Sequence, residues 1–167
     1  FFNKKILNHR LDILPQKISS LKKEKLDFVI IQKFNKKFSK LSYIDFIHKI
    51  LFNKIKCKYL YVSKNFKFGK KREGNVSKLK KFEKKFSYKT IVTSPLTKKK
   101  KTISSTIIRK LLQRGKIKKA NNLLNRKWEI IGKVIKGSRR GRKIGFPTCN
   151  ILLKQYVIPK FGVYAVN

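Results

Sequence analysis

Three short apolar runs, separated by stretches with helical spacing, restrict this chain to a small set of folds. The runs are Phe28–Ile31, Lys58–Val62 and Thr90–Val92. Ser42 precedes an apolar helical stripe between the first two, and residues 76–86 have a helical pattern between the second and third. Short continuous apolar runs are typical of buried parallel strands, and their alternation with helices predicts an α/β sheet. Ligands of such sheets bind at the carboxyl ends of the strands, just after each run.

A group of hydroxyl residues, Ser104, Ser105 and Thr106, stands directly before another apolar helical stripe. This pattern predicts a helix over residues 107–114 whose N-terminus is capped by a Ser or Thr side chain. The unpaired N–H groups and the positive dipole end attract anions, most often phosphate. Arg109, in the first turns of that helix, can bind an anion through two N–H groups. Taken alone, these residues favour an ordinary capped helix with a solvated arginine.

The loop after the second apolar run, residues 63–75, contains two glycines, two phenylalanines and several cations. It lies where the predicted sheet should hold its ligand. Aromatic rings can stack on a planar ligand, and the cations and the backbone of Gly69 can meet phosphates. The alternative is a solvated charged loop in which Phe66 and Phe68 pack into the core. Both interpretations stay open on the residues themselves.

After a second predicted helix, residues 117–124, the hydrophobic period changes from helix to strand. The segment Trp128–Lys136 alternates as a strand does, and Ile151–Leu153 is a further short apolar run. A flexible basic loop, Gly137–Lys143, is expected between them. The sequence therefore predicts a domain boundary near residues 125–127.

The charge is extreme, with 46 basic and 7 acidic residues and a net charge of +39. Such a balance points to nucleic acid. The lysines, however, are spread along the whole chain among Ile, Asn and Phe, a mixture typical of coding bias. Nonspecific attraction to polyanions that collapses with salt is expected in either case. A noncatalytic nucleic-acid-binding protein is the alternative function that this composition suggests.

Cys57 and Cys149 have no spacing typical of a metal site or a disulfide framework, which fits a reducing, cytoplasmic compartment. No apolar run is long enough to span a bilayer, so no membrane partner is expected. The chain contains no methionine, starts at Phe1 and ends at Asn167 within an apolar run. We therefore expect a fragment of a longer protein, lacking both ends.

Several motifs resemble, in the correct order, those of the bacterial bifunctional riboflavin kinase/FMN adenylyltransferase family, also called FAD synthetase. Residues 103–109 resemble its I-S-S-T-x-I-R signature, and residues 65–70 its N/D-F-R-F-G-K loop. Residues 34–46 resemble F-x-x-x-F-x-x-L-S-x-x-x-F, and residues 123–126 resemble L-L-G-R. Two more are G-x-x-R-G-R-x-x-G-F-P-T-A-N at residues 137–150 and G-V-Y at residues 162–164.

The resemblance implies two activities on one polypeptide. Residues 1–124 would be a Rossmann-like α/β nucleotidyltransferase domain, without its N-terminal part, that transfers AMP from ATP to FMN to give FAD. Residues 127–167 would be the N-terminal part of a riboflavin kinase β-barrel that makes FMN with ATP and Mg²⁺. The substrates would be riboflavin, FMN and ATP. A decayed copy that keeps the fold without function is a third interpretation.

The resemblance also implies site residues. ATP would be bound by Ser104, Ser105, Thr106, Arg109, Gly137, Gly141 and Arg142. The flavin-facing residues would be Asn65, Phe66 and Gly69, and Mg²⁺ would be held by Thr148 and Asn150.

The chain departs from the family pattern at some positions. Cys149 replaces an alanine, and Lys64 stands where an acidic residue is common. The family's H-x-G-H histidines would lie before Phe1 and its kinase glutamate beyond Asn167, so no catalytic residue is expected within the chain. His9 and His48 do not match that spacing and are interpreted as incidental. Residues 1–167 alone are therefore expected to have no kinase activity and negligible adenylyl transfer.

Overall fold

The computed structural model describes residues 8–98, 101–138, 140–153 and 155–166. The α-helices are α1 (Leu14–Lys23), α2 (Lys36–Ser39), α3 (Tyr43–Asp45), α4 (Val76–Lys81), α5 (Glu83–Phe86), α6 (Ser105–Gln113), α7 (Ile117–Leu124) and α8 (Arg140–Lys143). A π-helix, Phe46–Lys54, continues α3, and a 3₁₀ turn covers Lys70–Arg72. The strands are β1 (Tyr59–Ser63), β2 (Lys89–Thr93), β3 (Thr97–Lys98), β4 (Lys101–Thr102), β5 (Val134–Ile135) and β6 (Asn150–Ile151).

The chain divides into two compact units. Residues 30–96 form a contiguous unit, and the described residues of the ranges 1–29 and 97–167 form the other. We call them the inserted unit and the split unit.

In the inserted unit, β1 and β2 pair in parallel, from Tyr59 opposite Lys89 to Ser63 opposite Thr93. Helices α4 and α5 connect them, as a parallel pair requires a crossover. The predictions of two strands and of helical structure over residues 76–86 are confirmed. So is the Ser42 cap, whose hydroxyl accepts a hydrogen bond from the Asp45 N–H at 3.0 Å.

The first apolar run, Phe28–Ile31, is not a buried strand, and this prediction was wrong. Residues 28–31 have no ladder partner in the described part of the chain, and Phe28 is 73% exposed. A strand needs a neighbour whose edge accepts its hydrogen bonds, and an apolar run alone cannot supply one. The described parallel sheet therefore has two strands.

The core of the inserted unit joins the π-helix, the strands and the loop after β1. Its buried residues are Ile47, Leu51, Val62, Phe68, Leu79, Phe86 and Tyr88. Tyr88 donates its hydroxyl to the Leu79 carbonyl at 2.6 Å, which satisfies a polar group in this apolar setting. Burial, followed by the nearby Glu83 and Cys57 charges, raises the Tyr88 pKa to about 12.

The split unit is organised around α6 and α7. The predicted helices over residues 107–114 and 117–124 are confirmed, and Gly115 ends the first with a φ of +71°. Buried Ile108, Leu112 and Ala120 meet Val157, which comes from the C-terminal part of the chain and is 0% exposed. The C-terminal segment thus packs directly against these helices.

The β structure after residue 127 is shorter than the sequence predicts. Only Val134–Ile135 of the Trp128–Lys136 run and Asn150–Ile151 near the predicted 151–153 strand form a ladder, pairing antiparallel. The predicted flexible loop contains the one-turn helix α8, while Arg139 lies outside the described residues. Val134 is 59% exposed, so its side of this ladder is largely open to solvent. The described residues contain a β-ladder, not a closed barrel.

Across the four described stretches of chain, no helix combines the length and the apolar character needed to cross a membrane.

Candidate functional site

The N-terminus of α6 carries the hydroxyl group predicted from the sequence. The Ser104 hydroxyl accepts a hydrogen bond from the Ile107 N–H at 3.4 Å, which makes it the cap. Ser105 and Thr106 follow in the first turn and are exposed. Because the first N–H groups of a helix have no intrahelical partner, this end can accept an anion.

Arg109 lies one turn further on and is half-buried. Its Nε donates to the backbone carbonyl of His9 at 2.7 Å, across 100 positions of sequence. The His9 Nδ1 atom is itself buried without a hydrogen-bond partner in the described residues. The carbonyl of His9, rather than its ring, therefore supplies the polar contact to Arg109. No residue pattern predicts this contact, since every residue offers the same backbone acceptor.

The loop after β1 presents one of its three proposed flavin residues to solvent. Asn65 is exposed, whereas Phe66 is half-buried and stacks on Phe68, with ring centroids 5.4 Å apart and an interplanar angle of 20°. Phe68 is 7% exposed and belongs to the core. Both phenylalanines thus pack onto the core, which is the alternative that the sequence left open.

Gly69 in this loop has a φ of +74°, and a Cβ there would lie 2.8 Å from the Tyr43 backbone nitrogen. Its neighbour Lys70 donates its N–H to the Leu41 carbonyl at 2.6 Å. Glycine is therefore required where the loop crosses the start of α3.

In the C-terminal segment, two glycines pack against the two residues proposed for the metal. A Cβ on Gly137 would overlap the Asn150 side-chain amide, and one on Gly141 would overlap the Phe146 carbonyl oxygen and lie 3.0 Å from the Thr148 methyl group. Thr148 and Asn150 are exposed, as is Arg142 on α8. The structure thus pairs Gly137 with Asn150 and Gly141 with Thr148.

The flavin-loop residues belong to the inserted unit, and the other proposed site residues belong to the split unit. Within the described part of the chain, no group of three His, Cys, Asp or Glu side chains is placed to hold a metal ion. Thr148 and Asn150 themselves offer neutral hydroxyl and amide oxygen atoms to a metal.

The inserted unit has an α/β arrangement of a parallel strand pair with a helical crossover, and the split unit contains the hydroxyl-capped helix α6 and an antiparallel strand pair. Residues 1–107 match the family model for FAD synthetase, and residues 124–167 match that for riboflavin kinase. The chain belongs to the FAD synthetase family.

Relatives that share most of this chain have the same name, bifunctional riboflavin kinase/FMN adenylyltransferase. That of Buchnera aphidicola subsp. Schizaphis graminum is 42% identical over 168 residues, covering 100% of this chain and 54% of that protein. Those of Haemophilus influenzae and Escherichia coli K12 are 40% and 34% identical, covering 95% of this chain and 51% and 50% of those proteins. The chain thus spans about half the length of the curated relatives it matches.

A solved structure also resembles the chain. It is described as a macrolide-efflux protein from Streptococcus pneumoniae, with a TM-score of 0.78 and 28% sequence identity. The match covers 92% of this chain and 49% of the solved one. The shared fold therefore includes nearly all of the sequence.

Proposed function

We propose that this chain is part of an enzyme that makes both flavin cofactors. One module, residues 127–167, belongs to the part that transfers a phosphoryl group from ATP to riboflavin, giving FMN and ADP. The other, residues 1–124, belongs to the part that transfers AMP from ATP to FMN, giving FAD and pyrophosphate. The observation that carries the proposal is the succession of the two family matches along one chain.

The N-terminus of α6 supports a role in ATP binding for the adenylyltransferase part. The helix runs nine residues from a Ser104 cap, and exposed Ser105 and Thr106 offer hydroxyl donors beside the unpaired N–H groups. Phosphate is favoured at such an end by both hydrogen bonding and the helix dipole. With Nε held by His9, the two Nη groups of Arg109 remain to form a bidentate pair with the same phosphate.

Thr148 and Asn150, each packed against a glycine, support the Mg²⁺ assignment in the kinase part. Mg²⁺ takes oxygen ligands, usually few from the protein and the rest from phosphates and water. The exposed Thr148 hydroxyl and Asn150 amide oxygen fit that donor set. Gly137 makes room for the Asn150 amide, and Gly141 makes room for the Phe146 carbonyl oxygen with the Thr148 methyl group beside it. When bound, Mg²⁺ neutralises charge on the phosphates, and we assign Arg142 with the two glycines to their other oxygens.

The loop after β1 supports a flavin contact through Asn65. It follows the carboxyl end of a parallel strand, where ligands of α/β sheets bind. Because Phe66 and Gly69 are used in packing, we assign them to shaping the loop and Asn65 to the ligand. A cytoplasmic location is part of the proposal and is supported by the two free cysteines, Cys57 and Cys149.

The nucleic-acid-binding alternative has no support in the comparisons, whose relatives bear the name of the flavin enzyme. The efflux description of the solved structure concerns that protein. The family motifs at residues 103–109 and 137–150 favour the enzyme for this chain.

A chimeric enzyme tests the proposal. This chain replaces the matching stretch of the Buchnera aphidicola subsp. Schizaphis graminum protein, so that the relative supplies the remainder. The chimera is incubated with riboflavin, ATP and Mg²⁺, and FMN and FAD are separated by chromatography. Both products are expected. A folded chimera that forms neither product, while the unaltered relative forms both, would contradict the proposal.

Two substitutions then separate the sites. Arg109→Ala should raise the KM for ATP in FAD formation and leave FMN formation unchanged, whereas Asn150→Ala should do the reverse. Arg114→Ala, an exposed arginine at the other end of α6, is the matched control for Arg109. Equal effects of Arg109→Ala and Arg114→Ala would remove Arg109 from the site.

A further inference from the structure

The segment His9–Asp12 is held by residues from the riboflavin kinase match. The Arg10 N–H donates to the Gln155 carbonyl at 2.9 Å, and the Arg10 carbonyl accepts from the Val157 N–H at 2.8 Å. The Leu11 carbonyl accepts from the Trp128 indole N–H at 2.8 Å. This segment, which we call the strap, is therefore fixed by contacts to positions more than a hundred residues away.

The first residue of the strap, His9, contacts Arg109. The His9 carbonyl accepts the Arg109 Nε–H at 2.7 Å, and His9 directly precedes the Arg10 backbone pairing. A guanidinium group is planar and rigid, so a bond at Nε fixes the direction of both Nη groups. The position of the His9 carbonyl thus sets where Arg109 can meet a phosphate.

Tyr156, between the two strap partners, is anchored by a buried network. It is 2% exposed, and its hydroxyl donates to Gln16 Oε1 at 2.5 Å and accepts from the Ile131 N–H at 3.1 Å. Gln16 is also buried, and its amide donates to the Glu129 carbonyl at 3.2 Å. Buried polar networks are costly to break because each group left unpaired loses its hydrogen bond without regaining water.

We propose that Tyr156, in the kinase-matched segment, is a positioning residue for the ATP site of the adenylyltransferase part, acting through the strap on Arg109. This inference rests on the proposed function. Tyr156 touches no phosphate in this scheme. Its hydroxyl fixes the position of the 155–157 backbone, which is hydrogen-bonded to Arg10. Because His9 is the next residue in the strap, this pairing also fixes the position of the His9 carbonyl.

The test uses the chimeric enzyme with Tyr156→Phe. The KM for ATP in FAD formation should rise roughly 3- to 10-fold, with a smaller change in kcat. In the Arg109→Ala background the same substitution should leave the KM for ATP unchanged, because the group it positions is already gone. A general loss of structure would not produce this non-additivity.

The matched control is Tyr88→Phe. Tyr88 is also buried, at 6% exposure, and also donates its hydroxyl in a hydrogen bond, but it lies in the inserted unit. The Tyr88→Phe substitution should lower the melting temperature without changing the KM for ATP. If Tyr156→Phe prevents folding, Trp128→Phe takes its place, since it removes the bond to Leu11 and keeps an aromatic ring.

The outcomes separate the two proposals. If the unsubstituted chimera makes no FAD, the proposed function fails. If the unsubstituted chimera makes FAD and the Tyr156→Phe chimera keeps the same KM for ATP, the positioning role of Tyr156 is overturned. The same conclusion follows if the effects of Tyr156→Phe and Arg109→Ala on this KM multiply.

Discussion

Nη2 of Arg126 lies 2.7 Å from both carboxylate oxygens of Asp12, although 114 positions separate the two residues. The side chains are 35% and 22% exposed, so the pair is partly sheltered from water. It joins the strap to the residues just after α7, at the start of the kinase match. A second ion pair, Lys49 with Asp45, joins neighbouring turns of one helical segment and is more exposed, at 59% and 40%.

The two ion pairs should differ in strength because they differ in exposure. A double-mutant cycle with Asp12→Asn and Arg126→Met should give a coupling free energy of roughly 1–3 kcal/mol in urea unfolding, because the pair is sheltered and charge-assisted. The matched cycle with Asp45→Asn and Lys49→Met should give a smaller coupling, since water screens exposed charges. Equal couplings would mean that burial does not strengthen the Asp12–Arg126 pair.

Gly69→Ala should destabilise the chain strongly. Its φ is positive, and the added Cβ would lie 2.8 Å from the Tyr43 nitrogen, which is backbone and cannot rotate away. We expect a loss of about 2–4 kcal/mol in the free energy of unfolding. Gly145→Ala is the control, because its φ of +82° gives a similar backbone cost while no atom lies within 4 Å of the added Cβ. A smaller loss at Gly69 than at Gly145 would show that the loop can move away from α3.

Tyr88 gives a pH-dependent prediction. Folding raises its pKa from 10.0 to about 12, so the unfolded chain releases this proton first as the pH rises. The stability that depends on neutral Tyr88 is therefore complete below about pH 10 and is lost between about pH 10 and 12. Urea unfolding across this range should show a steeper decline for the natural sequence than for Tyr88→Phe. Tyr59→Phe, at a position that is 65% exposed, should keep the steep decline.

Val157→Ala tests whether the C-terminal segment completes the core of the split unit. The side chain is 0% exposed against Ile108, Leu112 and Ala120, so its removal should lower the free energy of unfolding by about 1.5–3 kcal/mol. Val163→Ala, in the same matched segment but fully exposed at 102%, should change it by less than about 0.5 kcal/mol. Similar values for the two variants would place Val157 outside the core.

Local patterns predicted the helices well. The stripes after Ser104 and before Asn125 gave α6 and α7 because each helix carries its own signal in periodicity and end residues. The apolar runs that form β1 and β2 carry their own signal as well, and each of these strands has the other as its pairing partner.

Structure that depends on distant residues was not predictable in this way. The run Phe28–Ile31 looked like a strand, yet strand formation depends on a neighbour that the run does not encode. The family resemblance pointed to Arg109 but not to the His9 carbonyl, because any residue offers the same acceptor. The roles of Gln16 and Tyr156 likewise arise from a contact over 140 positions.

The division into a contiguous inserted unit and a split unit has a consequence for synthesis on the ribosome. Residues 30–96 emerge as one block and can fold at once, whereas Asp12 must await Arg126, 114 positions later. At roughly 5–20 residues per second, that delay is on the order of ten seconds. The Asp12 carboxylate therefore waits for its ion-pair partner while all of residues 30–96 are synthesised.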